Sequence, residues 1–522
     1  MRNAPDANDF ETAGAARPLT LAAIDAGSNA LRLLVAEFDD ATHSRIVAQE
    51  RLPVRLGHNV FLSGALAEDA MDRAVEGFAT FRRQMDALDV ARYRAVATSA
   101  VRESTNGEAF IERVRRETGI EVEVITGSEE ARLAFRAVQA RLPLGSERWA
   151  MMDIGGGSVE VMLVDRSGLL WSESHTIGTV RLLEELRLAG EAPGRLQRLV
   201  TEYMATLRIA SAADRWGVAG FVATGGNVEA LAKLAGLEPD ASGVSRLPLA
   251  TLRELAQALA RLSFSERVRQ LSLREDRADV ILPAAFITLR IAEVVGADTV
   301  VVPHVGLKEG ILFDLAEDVI LHRFHEDERD RAVLAGAIAL GQRYRFDEEH
   351  GVHVGRLALS LFDQLRALHG LDDQDRRVLL AAAVLHDLGL FVSHKRHHKH
   401  SLYLLQNSEI AGFTPGEMLM IANVARYHRK GGPSAEHEQF ARLGADERER
   451  VRSLSAILRL ADALDREHRQ HVSDVRAEAT DTGLVLHVDG GGDMLLERWA
   501  LEKKADLFEE LFGLRVSLAS VA

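Results

Sequence analysis

A two-lobed α/β fold, followed by an all-α portion and a small α+β C-terminal appendage, is the fold class this sequence predicts. Three observations carry it. From Leu19 to about Leu315, short β-rich runs alternate with helical stretches, as in α/β layers with covered sheets. Inside that stretch, a unit of strand, Asp, Gly/Ser turn and strand is written twice. From about Glu317, apolar residues recur at three- and four-residue spacing, which predicts helices.

The strand candidates are Leu19–Asp25, Leu31–Phe38, Arg94–Thr98, Glu121–Ile125, Trp149–Asp153, Val159–Val164, Gly220–Thr224 and Thr299–Pro303. The repeat sits on four of them. Ala23-Ile24-Asp25-Ala26-Gly27-Ser28-Asn29 leads into Leu31–Val35, and Met152-Asp153-Ile154-Gly155-Gly156-Gly157-Ser158 leads into Val159–Val164. Copies about 130 residues apart predict two similar lobes facing each other across a cleft. Helices are expected over Glu328–Tyr344, Val354–Leu368, Asp375–Leu388, Pro415–Tyr427 and Arg448–Asp465. The last segment, Val472–Ala522, predicts two strands around Asp489–Gly492 and a helix over Leu501–Leu511. The expected division is a disordered tail over 1–18, lobes over 19–145 and 146–316, a helical domain over 317–470 and the appendage over 471–522.

Composition narrows the chemistry. The 522 residues are 47% hydrophobic, enough to bury a core in each of three or four domains. There is no cysteine, so a disulfide framework, a thiolate nucleophile and a Cys-ligated metal are excluded. Any metal must sit on His and carboxylates. The polar start, with Asp6, Asp9 and Glu11, does not read as a secretory signal, and Val280–Val295 is interrupted by Arg290 and Glu293. A cytoplasmic protein is expected. A formal charge of −15 argues against nucleic acid or an anionic membrane as general partners.

The two repeated turns suit phosphate. Glycine lets backbone N–H groups approach phosphate oxygens because no Cβ stands in the way. Asp25, Gly27, Ser28 and Asn29 in the first turn, with Gly155, Gly156, Gly157 and Ser158 in the second, are therefore candidate phosphate-binding residues. Each turn is led by an acid, Asp25 or Asp153, and Glu160 follows the second; hard oxygen ligands of this kind suit Mg²⁺. A third turn, Thr224-Gly225-Gly226-Asn227, ends a strand and opens a helix, which makes Gly225 and Gly226 a further anion seat. Between the repeats, Ser99 and Arg102 follow a strand and suit orientation of an oxyanion. Ser128 precedes Glu129 and Glu130, one of which is placed to activate water.

Taken together, Ala23–Asn29, Ala97–Arg102, Ile125–Arg132, Asp153–Glu160, Ile177–Thr179 and Ala223–Asn227 resemble the exopolyphosphatase/guanosine pentaphosphatase family, in the family's order from about Leu19 to Leu315. The resemblance implies the actin-like fold of the sugar-kinase/actin/chaperone-ATPase superfold. It also implies Glu130 as catalytic base, Arg102 as a phosphate-contacting arginine, and Asp153 and Glu160 as ligands of Mg²⁺ or Mn²⁺. A homodimer and a place in the stringent response are further implications. Two departures are small: Asp-Ala-Gly in the first turn where Asp-Leu-Gly or Asp-Ile-Gly is usual, and Pro303–Gly306 in place of a more acidic stretch.

In the helical part, His353, His386-Asp387 and Asp462 give the order H…HD…D, which resembles HD-type metal-dependent phosphohydrolases and the HD-like domain of long exopolyphosphatases. These four are a candidate second divalent-metal site, with His397, His398, His400 and His428 available to extend it. Lys395, Arg396 and Lys399, with Arg426, Arg429 and Lys430, form basic clusters in an acidic chain and are expected to track a long polyanion.

The expected function is that of an exopolyphosphatase, which releases terminal orthophosphate processively from inorganic polyphosphate. The alternative substrate is guanosine pentaphosphate, which also presents a terminal phosphoanhydride. Two further readings are an HD-type nucleotide hydrolase whose α/β half senses a ligand, and a non-catalytic stress-signalling protein; the retained Asp25, Glu130, Asp153 and Glu160 speak against the second.

Overall fold

The structure is a computed structural model. It describes residues 18–39, 44–166, 168–189, 198, 202, 217–320, 325–429, 431–480, 483–490 and 494–520. The expected N-terminal tail and Lys430 of the expected polyanion track therefore lie outside the described residues, Pro18 excepted. The chain forms two compact units, Met1–His322 and Arg323–Ala522. Among the described residues, no helix is long and apolar enough to cross a membrane.

The first unit is built on two mixed sheets. One runs β3-β2-β1-β4-β5, with β1 Leu19–Ala26, β2 Leu31–Phe38, β3 Ser44–Leu52, β4 Arg92–Ala97 and β5 Glu123–Val124. The other runs β10-β11-β9-β6-β7-β8, with β6 Trp149–Ile154, β7 Val159–Asp165, β8 Gly168–His175, β9 Gly220–Thr224, β10 Ser245–Pro248 and β11 Thr299–Val302. The sequence repeat is a repeat of topology. In each sheet an antiparallel three-stranded meander (β1-β2-β3 or β6-β7-β8) has a parallel strand, β4 or β9, on its other side.

Central strands read as unbroken apolar runs because both of their faces are covered. In β1, Ala22, Ile24 and Ala26 enter one core cluster while Leu21 and Ala23 enter another. In β6, Ala150, Met152 and Ile154 face one layer and Met151 the opposite one. The apolar stretch at Val280 is the helix Ile281–Val294, ten of whose residues are buried under the second sheet.

In the second unit, the helices His325–Arg343, Glu348–Gln364, Asp373–Leu385, His397–Gln406, Pro415–Arg426 and Ala445–Ala463 pack around one core. Their starts are fixed by side chains. Asp372 with Asp375, and Thr414 with Glu417, form reciprocal caps, and Pro415 takes the first turn, where its missing N–H costs nothing. The C-terminal segment departs from expectation in two ways. Its strands β12 Val472–Ala479 and β13 Gly483–Gly490 pair antiparallel, with Thr480 and Gly483 bonding each other at their ends, and Asp489 lies within β13 opposite Asp474 instead of between two strands. A third strand, β14 Arg515–Ser520, follows two short helices and pairs parallel to β13. Val472, Val475, Leu484, Leu486 and Val488 join the helical core, so the sheet is part of that core.

Candidate active site

The helix Gly127–Arg141 positions the chemistry of the first unit. Thr126 caps it, accepting from Glu129 N at 3.1 Å. Along its length, Leu133 packs in a core under the first sheet and Ala131, Ala134, Phe135 and Val138 in one under the second, so the helix is held from both sides. The adjoining acids in its first turn have opposite surroundings. Glu129 is gripped by Arg132 at 2.8 and 2.9 Å and by Arg94 at 3.1 Å, and both arginines also bind Asp314. Burial alone would raise the Glu129 carboxyl, but these guanidiniums bring it below its ordinary range.

Glu130 has no such grip. Its Oε2 is buried and accepts no hydrogen bond, and the nearest cation, Arg102 Nη1, stands 3.5 Å away. Oxygens of Glu130, Asp153 and Glu160 all lie within 4.8 Å of one another. Burial first, then Glu160, pushes Glu130 well above the usual carboxylate range, against the pull of Arg102. Burial and Asp153 push Glu160 up to about 7, although Ser174 Oγ donates to its Oε1 at 2.8 Å. Burial likewise raises Asp153, which accepts from Thr224 Oγ1 at 2.5 Å. Three buried acids around one point, with Glu130 Oε2 and Glu160 Oε2 both accepting no hydrogen bond, fit a hard divalent cation in their midst.

The two repeated turns close on each other beside this group. In both, the first glycine donates its amide back across the turn, Gly27 N to Ala30 O at 3.2 Å and Gly155 N to Ser158 O at 3.0 Å. Those two amides therefore hold the hairpin and are not aimed at phosphate. Ser28 Oγ pairs with Ser99 Oγ at 3.1 Å, and a Cβ on Gly156 would come 2.8 Å from Ser28 Cβ, so only glycine allows the turns to meet there. The cleft above them is lined by Asp25, Gly27, Ser28, Asn29, Glu130, Asp153, Gly155, Gly156, Gly225 and Gly226. Ser99, Arg102, Gly157, Ser158 and Glu160 stand behind this wall; Arg102 donates to Ile125 O at 2.7 Å and faces Glu130.

Four cations of the cleft escape sequence reasoning: Arg32, Arg51, Arg277 and Lys308. Arg32 donates to Asp25 at 2.5 Å, Arg51 pairs with Asp276, Arg277 donates to Asn227 Oδ1 at 2.6 Å, and Lys308 lies 2.6 Å from Glu309. Burial and the crowding of Arg51 and Arg32 bring Arg277 down to about 10. Arg32 and Arg51 each already hold a carboxylate, and their repulsion of Arg277 makes the space beside it favourable for a further anion.

Residues 34–319, more than half of the chain, match the model of the Ppx/GppA phosphatase family, and residues 329–510 match Ppx/GppA phosphatase, domain III. The chain belongs to the Ppx/GppA phosphatase family. It is accordingly a phosphoanhydride hydrolase. Two relatives, each called guanosine-5'-triphosphate,3'-diphosphate pyrophosphatase, from Vibrio vulnificus and Aeromonas hydrophila, are 28% identical over 90% of this chain and 91% and 92% of their own. Among solved structures, an exopolyphosphatase from Cytophaga hutchinsonii is similar with 28% identity and a TM-score of 0.54, over 57% of this chain and 98% of that one. The Ppx/GppA family member of Aquifex aeolicus is similar with 27% identity and a TM-score of 0.50, over 58% and 99%.

Domain III of this Ppx/GppA chain carries buried His and Asp clusters. His350, His386 and Asp462 bring one ligand atom each to a common place, and so do Asp387, His397 and His428. His353, expected here, is not among them. It sits one turn further along the same helix with its Nδ1 3.3 Å from Arg356, whereas His350 Nε2 reaches His386 Nε2 at 3.3 Å and its Nδ1 meets Asp465 Oδ2 at 2.8 Å. Lys504, also missed, lays its ammonium against Asp462. Burial, with His386 beside it, pushes His428 down to about 3, so its imidazole is neutral. Of the basic residues, Lys395, Arg396 and Lys399 are exposed at the start of the helix His397–Gln406, and Arg429 Nη1 lies 3.3 Å from His397 Nε2.

Proposed function

We propose that this Ppx/GppA chain removes the terminal phosphate of guanosine pentaphosphate, with Glu130 as the general base. The observation that carries the base is the buried, unbonded Oε2 of Glu130 in the wall of a cleft made of glycine turns. The preference for the guanosine substrate over polyphosphate rests on relatives so called that match nine-tenths of the chain, whereas the exopolyphosphatase likeness covers 57%. Polyphosphate is the second reading, favoured by that likeness and by the basic residues of the second unit. On this reading the first unit is an actin-like pair of lobes and the second an HD-type domain.

The chemistry divides among the chain's own residues. A water held against Glu130 gives up a proton to Oε2 as its oxygen bonds to the terminal phosphorus. The bond from that phosphorus to the bridging oxygen breaks, orthophosphate leaves, and the shortened substrate keeps the bridging oxygen. Arg102 steadies the Glu130 carboxylate, whose raised proton affinity makes it a stronger base than an ordinary carboxylate. Arg32, Arg51 and Arg277 hold the remaining phosphates and fix the terminal one in line. Asp153 and Glu160 would hold Mg²⁺ or Mn²⁺, which when bound offsets the negative charge on the phosphoryl oxygens.

Orthophosphate release from guanosine pentaphosphate and from long-chain polyphosphate, in Mg²⁺, tests this. Glu130→Gln is expected to lower kcat by about 10²–10⁴-fold with KM little changed, and His386→Ala to leave it intact. Activity that survives Glu130→Gln and is lost in His386→Ala would place the reaction in the second unit. A higher kcat/KM for polyphosphate would reverse the substrate preference.

A further inference from the structure

Asp387, His397 and His428 in the second unit point three ligand atoms at one place. Asp387 Oδ1 lies 3.2 Å from His397 Nε2 and 3.4 Å from His428 Nε2, and the two nitrogens are 3.3 Å apart. Ligand atoms around a four-coordinate cation with bonds of about 2.0–2.1 Å stand roughly 3.3 Å apart, so the triangle has the size of such a cation's ligand face.

The rings are also turned correctly. His397 Nδ1 lies 3.2 Å from His394 O and His428 Nδ1 lies 2.6 Å from Ala425 O, which puts each ring proton on Nδ1 and turns the Nε2 lone pair inward. Two inward lone pairs then face Asp387 Oδ1, a buried oxygen that accepts no hydrogen bond. Arg429 Nη1 donates to His397 Nε2 at 3.3 Å, but without a metal ion His428 Nε2 and Asp387 Oδ1 face each other as acceptors at 3.4 Å. The donor set, two imidazoles and a carboxylate with no thiolate, suits a first-row divalent ion.

The neighbouring group is different. His350, His386 and Asp462 are spread over 3.3, 3.7 and 3.9 Å, and the Lys504 ammonium already lies against Asp462. We propose that the second unit binds a single four-coordinate divalent cation of the zinc class on Asp387, His397 and His428, its fourth position open to a phosphoryl oxyanion, while Lys504 supplies the positive charge at Asp462. Arg429 Nη1, 3.3 Å from His397 Nε2, stands at the edge of the open face, where a guanidinium meets an oxyanion best.

The full-length protein, stripped of metal with a chelator and titrated with Co²⁺, tests this by its visible spectrum. Four-coordinate Co²⁺ absorbs strongly, whereas an all-oxygen six-coordinate site such as Asp153 and Glu160 would offer gives weak bands. One intense band per chain is expected, kept in Asp153→Asn and lost in the near-isosteric Asp387→Asn and in His428→Ala. Inorganic phosphate should shift the band, and less so in Arg429→Ala. Lys504→Met should raise the intense component to two Co²⁺ per chain. No intense band in the wild type, or one that survives both ligand variants, overturns the site. A band unmoved by phosphate overturns the open position, and an unchanged stoichiometry in Lys504→Met overturns the role of Lys504. The readout is independent of orthophosphate release, so it stands or falls apart from the role of Glu130.

Discussion

In the first unit, Glu130, Asp153 and Glu160 bring three buried carboxylates to one point with a single guanidinium, that of Arg102, 3.5 Å from Glu130. In the second, Asp462 has an ammonium, that of Lys504, directly against it. The same contrast is repeated within one helical turn: Glu129 is bound by Arg132 and Arg94, and Glu130 is not. Where the chain supplies its own cation, the acid is held charged and the contact is structural. Where it withholds one, proton affinity rises and the group is left ready for an external cation or a proton.

The widest separation of the two cases comes from the adjacent glutamates. Glu129→Gln leaves the half-buried Arg94 and Arg132 with Asp314 as their remaining shared carboxylate, and is expected to cost about 1.5–3 kcal/mol, read as a lower denaturation midpoint. The fraction that remains folded should keep its kcat. Glu130→Gln removes a buried acid crowded by like charges, and is expected to raise the midpoint while lowering kcat by about 10²–10⁴-fold. If both variants destabilise alike, the contrast between the two glutamates is broken.

Titration gives the next largest effect. Glu160 is pushed to about 7 from the ordinary 4.5, so between those pH values the folded chain binds a proton the unfolded chain lacks. That stabilisation is full below pH 4.5 and disappears as pH rises through 7. In a chelator, stability from this group should therefore fall by on the order of 3 kcal/mol across the window. With Mg²⁺ present the trend reverses, because the ion competes with that proton, and apparent Mg²⁺ affinity should weaken as pH drops below about 7. Denaturation midpoints at pH 5 and pH 8, with and without Mg²⁺, measure both arms; a chelated protein more stable at pH 8 contradicts the assignment.

Gly156→Ala sharpens the comparison at the turns. Its Cβ would stand 2.8 Å from Ser28 Cβ and 3.1 Å from Val180 Cγ2, and the strain is expected to cost about 1–3 kcal/mol. Activity should fall further than stability, by roughly 10–100-fold in kcat/KM, because the displaced turns form the cleft wall. Wild-type kinetics in this variant would mean that the contact between the turns carries no catalytic geometry.

Much of this was readable from the chain, and what was missed has physical causes. The repeat revealed β1, β2, β6 and β7 because strands covered on both faces leave unbroken apolar runs. Edge strands β3 and β8 mix half-buried and exposed positions with no regular period and bury almost nothing, so they leave no such mark. The pair Glu129–Glu130 stands out by its place after a strand and Ser128, and only the family resemblance singles out Glu130. Arg51 and Arg277 do not stand out, since each reaches the cleft from a segment with no motif and only the fold brings them together. His353 was preferred to His350 because spacing cannot say which of two histidines a turn apart faces the bundle; the Asp465 contact that decides it lies 115 residues away.

The smallest effect tests whether a hydrogen bond tunes the site. Ser174 Oγ donates to Glu160 Oε1 at 2.8 Å, and this bond works against the burial and the Asp153 charge that raise the Glu160 carboxyl. Ser174→Ala leaves the charged form with one donor fewer. Its proton affinity must rise, and the pH midpoint for Mg²⁺ binding should move upward, by about half a unit if the bond contributes a typical 0.5–1.5 kcal/mol. At pH 8.5, where Glu160 is ionised in both proteins, the two affinities should converge. A midpoint that moves downward, or a gap that persists at pH 8.5, would show that Ser174 acts on the shape of β7 and β8 and not on the charge of Glu160.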